Sequence, residues 1–187
     1  MFEAEPAAGL AAAEREAGLR SRLLRLAFLM LAIAGATILA ALGFEHIGGY
    51  LPCALCLMQR TPYYVGVPVA AAAAAAVWFR APRPLLALLF ALFAALMLYN
   101  AGLAAYHSGV EWGFWEGPAA CAASSEPGSV ADLLTQLQTT HAPSCAEANW
   151  RLLGLSFAGW NVLASILLTL LGVYGALLAW TARRKAS

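Results

Sequence analysis

The stretch LAFLMLAIAGATILAALGF, Leu26–Phe44, runs for nineteen residues without a charge. About 20 apolar residues in a helix cross the ~30 Å hydrocarbon core of a bilayer, so this stretch reads as a membrane span. Three more follow: Tyr63–Phe79, Leu85–Tyr106 and Val162–Trp180. A cleavable signal peptide has an apolar core of about 7–15 residues. The first stretch is longer and three spans come after it, so it is expected to remain as the first helix. Composition agrees. The 187 residues are 62% hydrophobic and only 11% charged, against about 25% charged in soluble domains. A net charge of +1 offers no basis for binding nucleic acid. The expected fold is an all-α membrane protein, a bundle of four transmembrane helices in a single membrane domain over 1–187. Spans are placed at about 26–44, 63–79, 85–106 and 162–180, with 1–23 as an N-terminal extension. The alanine run Ala70–Ala76 is expected to pack closely on a neighbouring helix, because small residues let backbones approach.

Charge orients the spans. Arg15, Arg20, Arg22 and Arg25 precede the first, Arg80 and Arg83 separate the second and third, and Arg183, Arg184 and Lys185 follow the fourth. Only Arg60 and Arg151 fall in the other two loops. Cytoplasmic loops carry the excess of Lys and Arg, so both termini are expected in the cytoplasm and loops 45–62 and 107–161 outside. All four cysteines, Cys53, Cys56, Cys121 and Cys145, then lie outside, where disulfides persist. The long outer loop is turn-rich around Glu116-Gly117-Pro118 and Ser124–Gly128. Val130, Leu133, Leu134 and Leu137 are spaced for a short amphipathic helix on the membrane surface. Trp112, Trp115, Trp150 and Trp160 suit the interfacial aromatic belt. His46, His107 and His141 fall on the outer side; His46 and His107, near span ends, could handle a proton or touch a ligand but read first as ordinary interfacial residues, and Asn100 reads as a hydrogen-bonding residue between helices.

The segment PCALCLMQR, Pro52–Arg60, holds a Cys-x-x-Cys with arginine four residues after its second cysteine. Structural zinc sites use two closely spaced cysteine pairs, whereas Cys121 and Cys145 are 24 positions apart. Haem attachment requires histidine directly after the second cysteine, and residue 57 is leucine. A bridge across two intervening residues restrains the unfolded chain little, which favours redox chemistry over a structural role. Arginine and a helix N-terminus both favour thiolate. That argument requires Cys56 and Arg60 to lie on one helix, which Pro62 as a first helical residue would prevent. Arg60 alone reads as a headgroup anchor. A bridge over the Cys121–Cys145 loop would stabilise by about 3 kcal/mol in the chain-entropy model, and its turn-rich setting also suits thiol exchange.

Four spans, the Cys-x-x-Cys-x-x-x-Arg of the first outer loop and two distant cysteines in the second resemble the DsbB family of bacterial disulfide-forming membrane oxidases. The segment CAEANWRLLGLSFAGWN, Cys145–Asn161, resembles that family's approach to its fourth span. The resemblance implies an inner-membrane enzyme in which Cys53 and Cys56 form the pair beside a bound quinone, ubiquinone or menaquinone, that Arg60 contacts. It implies that Cys121 and Cys145 form the pair that oxidises a DsbA-like periplasmic thiol oxidase, with Cys121 taking the mixed disulfide and Cys56 engaging the quinone. A strongly oxidising partner needs a still more oxidising electron sink, which the quinone pool of the membrane lipid would supply. Gln59 departs from the family pattern, where the best-known member has an acid, and leaves the charge around Arg60 open. The alternatives are a non-catalytic four-helix protein with two structural bridges, and a vitamin K-type reductase. In the latter family the loop cysteines precede the Cys-x-x-Cys; here they follow it.

Overall fold

The computed structural model describes residues 4–122, 144–148 and 150–184. The amphipathic helix read at 130–138, and His141, lie outside the described residues. Helix α1 runs unbroken over Ala4–His46, α2 over Ala54–Trp78 and α3 over Arg83–Glu111. A single turn, α4, follows at Ala119–Ala122. Strands β1 (Arg151–Leu152) and β2 (Leu155–Ser156) form a small antiparallel hairpin. Its two-residue turn, Leu153-Gly154, has both φ angles positive, the geometry that matches strand twist in tight hairpins. Helix α5 is Phe157–Arg184. Among the described residues, four helices are long and apolar enough to cross a membrane: α1 from Gly9, α2, α3, and α5 as far as Thr181. The chain is therefore an all-α membrane protein of four apolar helices.

Side-chain spacing explains the packing. Leu23, Ala27, Met30, Ala34 and Ile38 put one face of α1 into the core, the three- and four-residue steps of an α-helix. In the alanine run, Ala70, Ala73 and Ala74 are buried while Ala71, Ala72 and Ala75 are exposed, so one face of α2 packs inward as expected. Helices α3 and α5 approach most closely. A Cβ on Gly172 would stand 2.9 Å from the Ala94 Cβ and 3.1 Å from its backbone nitrogen, and one on Gly175 would lie 2.3 Å from Phe90. Small residues at such contacts replace the hydrophobic drive that lipid does not provide. Leu88, Leu92, Leu170, Val173 and Leu177 remain exposed on the outside, where acyl chains would cover them.

The start of α2 decides the geometry of the cysteine segment. Helix α2 begins at Ala54, with Pro62 and Pro68 inside it and Cys53 as its N-cap. The helix therefore starts nine residues before the apolar stretch at Tyr63, and Cys56 and Arg60 are one turn apart on it. Cys53 caps through sulfur: the Cys56 backbone N–H donates to the Cys53 Sγ at 3.3 Å. Ser156 caps α5, its Oγ accepting from the Gly159 N–H at 3.2 Å. The last turns of α1 and α3 and the first turns of α2 and α5 meet at one end of the bundle. At the other end Glu16 of α1 pairs with Arg83 at the start of α3 and with Arg20.

Candidate functional site

Cys53 and Cys56 are unbonded thiols at the N-terminus of α2, their sulfurs 3.0 Å apart. Cys53 is buried, 4% exposed. The Cys56 hydrogen bond holds the Cys53 thiol far below its ordinary value of about 9, at about 4, against the opposing cost of burial; His107 adds to the lowering. The Nε2 of His107 lies 3.6 Å from the Cys53 sulfur. A helix N-terminus favours the same anion. Cys53 is thus built to be a thiolate in the dithiol form.

Behind the pair runs a buried polar chain. The Gln59 Nε2 is 2.8 Å from the His107 Nδ1 and donates to the Leu55 carbonyl at 3.2 Å. Asn161 of α5 donates to the Gln59 Oε1 at 2.6 Å. The hydroxyl of Tyr63 donates to the Asn161 Oδ1 at 2.7 Å, and Asn100 donates to Ser165 at 2.9 Å. Asn100 therefore bonds across helices, as its position in the third span suggested. Glu111 completes the chain: its Oε1 is 3.7 Å from the His107 Nε2, and its other oxygen accepts from the Ser156 hydroxyl. Gln59, Asn100, His107, Ser156 and Ser165 are all buried, and a buried polar group is tolerated when such bonds satisfy it.

Arg60 projects from the turn after Cys56 and pairs with Glu45 of α1, at 12% and 22% side-chain exposure respectively. The charge around Arg60 is thus set by α1, not by residue 59. Both cysteines, Gln59, Arg60 and His107 border a cavity of about 450 Å³. Ile38, Ala41, Phe44, Trp160 and Ala164 are among its apolar walls. Phe157 stacks on Trp150 at 4.7 Å and meets Phe44 edge-on at 4.8 Å, and all three rings line the cavity. Cys121 and Cys145 are bonded to each other. They share one buried cluster with Cys53, Leu55 and Val110, against which Cys56 and Tyr106 pack.

The donor atoms of Cys53, Cys56 and His107 lie within 4.8 Å of one another. Two thiolates on a tetrahedral zinc, each at about 2.3 Å, stand roughly 3.8 Å apart. The 3.0 Å sulfur separation is that of a hydrogen-bonded pair instead. Cys121 and Cys145, the second pair of a four-cysteine arrangement, are bonded to each other.

A family model described as disulfide bond formation protein DsbB matches residues 22–175. The chain belongs to the DsbB family. No curated protein and no solved structure matches it. Membership in the DsbB family makes this multi-pass membrane protein an oxidoreductase acting on thiols in disulfide bond formation. Of the residues singled out from the sequence, Cys53, Cys56 and Arg60 border one cavity, and Cys121 and Cys145 belong to one buried cluster with Cys53. The sequence reading gave His107 no site role and weighed Gln59 only for its charge, and it passed over Asn161, Glu45 and Glu111. One signal was present: Asn100, His107 and Glu111 recur at intervals of seven and four, which places them on one face of a helix.

Proposed function

We propose that the protein is a quinone-dependent thiol oxidase of the bacterial inner membrane, with both termini cytoplasmic, that reoxidises a DsbA-like periplasmic partner. The reading is carried by one juxtaposition: a cysteine pair whose Cys53 is held low and an arginine border an apolar cavity, and the Cys121–Cys145 disulfide shares a buried cluster with Cys53. The residues fit a quinone. A volume of about 450 Å³ lies in the usual range for small-molecule sites. Apolar walls would take a ring and the start of its chain. Arg60 spends part of its five-donor guanidinium on Glu45 and keeps donors for a carbonyl oxygen. A bound quinone, ubiquinone or menaquinone, would supply a two-electron, two-proton sink.

Each exchange breaks one disulfide as it forms another, with electrons entering from the partner's dithiol. A partner thiolate attacks the Cys121–Cys145 bond and forms a mixed disulfide at Cys121. The second partner thiol displaces it, leaving the partner oxidised and Cys121 and Cys145 as thiols. Exchange with a Cys53–Cys56 disulfide restores the loop bridge and leaves the Cys53/Cys56 dithiol. A quinone held beside Cys56 and Arg60 would take two electrons and two protons from that dithiol, and the two sulfurs would close again as the Cys53–Cys56 disulfide. His107 and Cys56 hold negative charge on Cys53 in the dithiol state.

The test is turnover of purified protein with reduced DsbA-like substrate and a soluble quinone. Quinone reduction is expected, and Cys53→Ser should abolish it; turnover that survives Cys53→Ser ends the proposal. In Cys145→Ala, Cys121 should trap the partner as a covalent adduct. A protein with purely structural bridges would give neither result.

A further inference from the structure

His107 sits between groups of opposite hydrogen-bonding character, and this fixes its proton. On the Nε2 side stand the Cys53 sulfur at 3.6 Å, an acceptor in its thiolate form, and the Glu111 carboxylate at 3.7 Å. On the Nδ1 side stands the Gln59 amide at 2.8 Å. An amide can present oxygen or nitrogen, and the two are distinguished by their partners. Here the partner that cannot change is a backbone carbonyl. The same Gln59 atom lies 3.2 Å from the Leu55 oxygen; a carbonyl accepts only, so that atom must be the nitrogen. Asn161 then fills the remaining position by donating to the Gln59 Oε1 at 2.6 Å, and Tyr63 donates to the Asn161 Oδ1 at 2.7 Å. Every link runs in one direction, and the Leu55 carbonyl in the first turn of α2 sets it.

We propose that Gln59 is a positioning residue that holds the His107 Nδ1 as an acceptor, so that the single imidazole proton sits on Nε2 and points at the Cys53 sulfur. A carboxylate at position 59 would act in the opposite sense, because it only accepts and would draw a proton onto Nδ1. The departure at this position is therefore a change in the direction of a hydrogen-bond chain as well as in charge. The charge is carried elsewhere, by Glu45 of α1 against Arg60. The groups that face the imidazole are Cys53, Cys56 and Gln59 at the start of α2, Glu111 of α3, and, through Gln59 and Glu111, Asn161 of α5 and Ser156. The significance for turnover rests on the redox role proposed for Cys53; the position of the proton does not.

The experiment is nitrogen NMR of ¹⁵N-histidine-labelled protein, reduced, in lipid nanodiscs at neutral pH, with His107 assigned by the signal lost in His107→Phe. Wild-type protein should show a one-bond N–H coupling at Nε2 and a bare Nδ1. In Gln59→Glu, Nδ1 should gain a proton. A wild-type proton on Nδ1, or a bare Nδ1 in Gln59→Glu, overturns the proposal. Gln59→Leu frees the imidazole to turn. In reduced Gln59→Leu the alkylation rate at Cys53 should fall on the order of tenfold at mildly acidic pH, the usual scale for losing a hydrogen bond to a charged group, and match wild type at alkaline pH. A rate profile identical to wild type at every pH also overturns it. None of these readouts uses quinone, so failure of the redox reading and failure of this one remain distinguishable.

Discussion

Cys53 does two jobs with one sulfur. It caps α2 by accepting the Cys56 N–H, and it faces the His107 Nε2. Both contacts favour the anion, as does the Cys56 thiol, and together they hold Cys53 down to about 4. A lowered pKa means that thiolate survives as pH falls. In the reduced protein, alkylation of Cys53 followed by mass spectrometry should stay nearly constant from alkaline pH down to about 5, whereas an ordinary thiol slows about tenfold per pH unit below its pKa of ~8.5. His107→Ala removes one of the three contacts and should move the fall-off to higher pH. A wild-type profile that already falls off near the ordinary thiol value would show that the capping and imidazole contacts do not govern the thiolate. Arg60 is the companion case. Glu45→Ala leaves its half-buried guanidinium without the carboxylate that α1 supplies. Quinone affinity, measured as KM in turnover, should change more than kcat, because the charge facing the cavity changes and the thiols do not.

At the scale of elements, the closest packing lies between α3 and α5. Gly172 faces the Ala94 backbone and Gly175 the Phe90 ring. A backbone cannot swing aside as a long side chain can. Gly172→Ala should therefore destabilise the bundle by about 1–3 kcal/mol, the usual cost of overpacking. Gly35 in α1 has nothing within 4 Å of its would-be Cβ, and Gly35→Ala should be neutral or stabilising by about 0.5–1 kcal/mol. Thermal unfolding in detergent measures both; equal behaviour of the two variants would mean that the α3–α5 contact does not govern stability. Helix α2 gives the lesson in boundaries. Pro62 looked like a possible first helical residue because proline suits that position. The helix instead begins at the Cys53 cap and carries two prolines within it, which membrane helices accommodate when neighbouring groups satisfy the freed backbone.

For the whole molecule, the two cysteine pairs lie at the same end of the bundle because four spans return both connecting loops to one side. Cys145 and Cys53 belong to one buried cluster, although 92 residues separate them in sequence. A variant lacking Cys56 and Cys121, Cys56→Ser with Cys121→Ser, should oxidise to a Cys53–Cys145 bridge within one chain. Non-reducing electrophoresis and peptide mapping would detect it; cross-linked dimers alone would count against that proximity. The proposed orientation has its own check. Green fluorescent protein fused at the C-terminus should fluoresce, and alkaline phosphatase fused in the loop after α3 should be active; the reverse pattern would invert the topology.

The sequence by itself determined the four apolar helices, through runs of uncharged residues as long as a bilayer is thick. It also singled out the four cysteines and Arg60, because reactive and charged groups stand out against so apolar a background. Asn100 was legible for the same reason. The roles of His107, Gln59, Asn161, Glu45 and Glu111 were not, because each depends on a partner that the local sequence does not name. Gln59 and Asn161 are 102 positions apart, and Gln59 and His107 48. No local pattern relates residues so distant. Only packing of the helices brings them within hydrogen-bond reach, and only there does burial compel each donor to find its acceptor. The tertiary structure thus decided which nitrogen of His107 faces sulfur, which carboxylate serves Arg60, and that PCALCLMQR opens a helix with a cysteine as its cap.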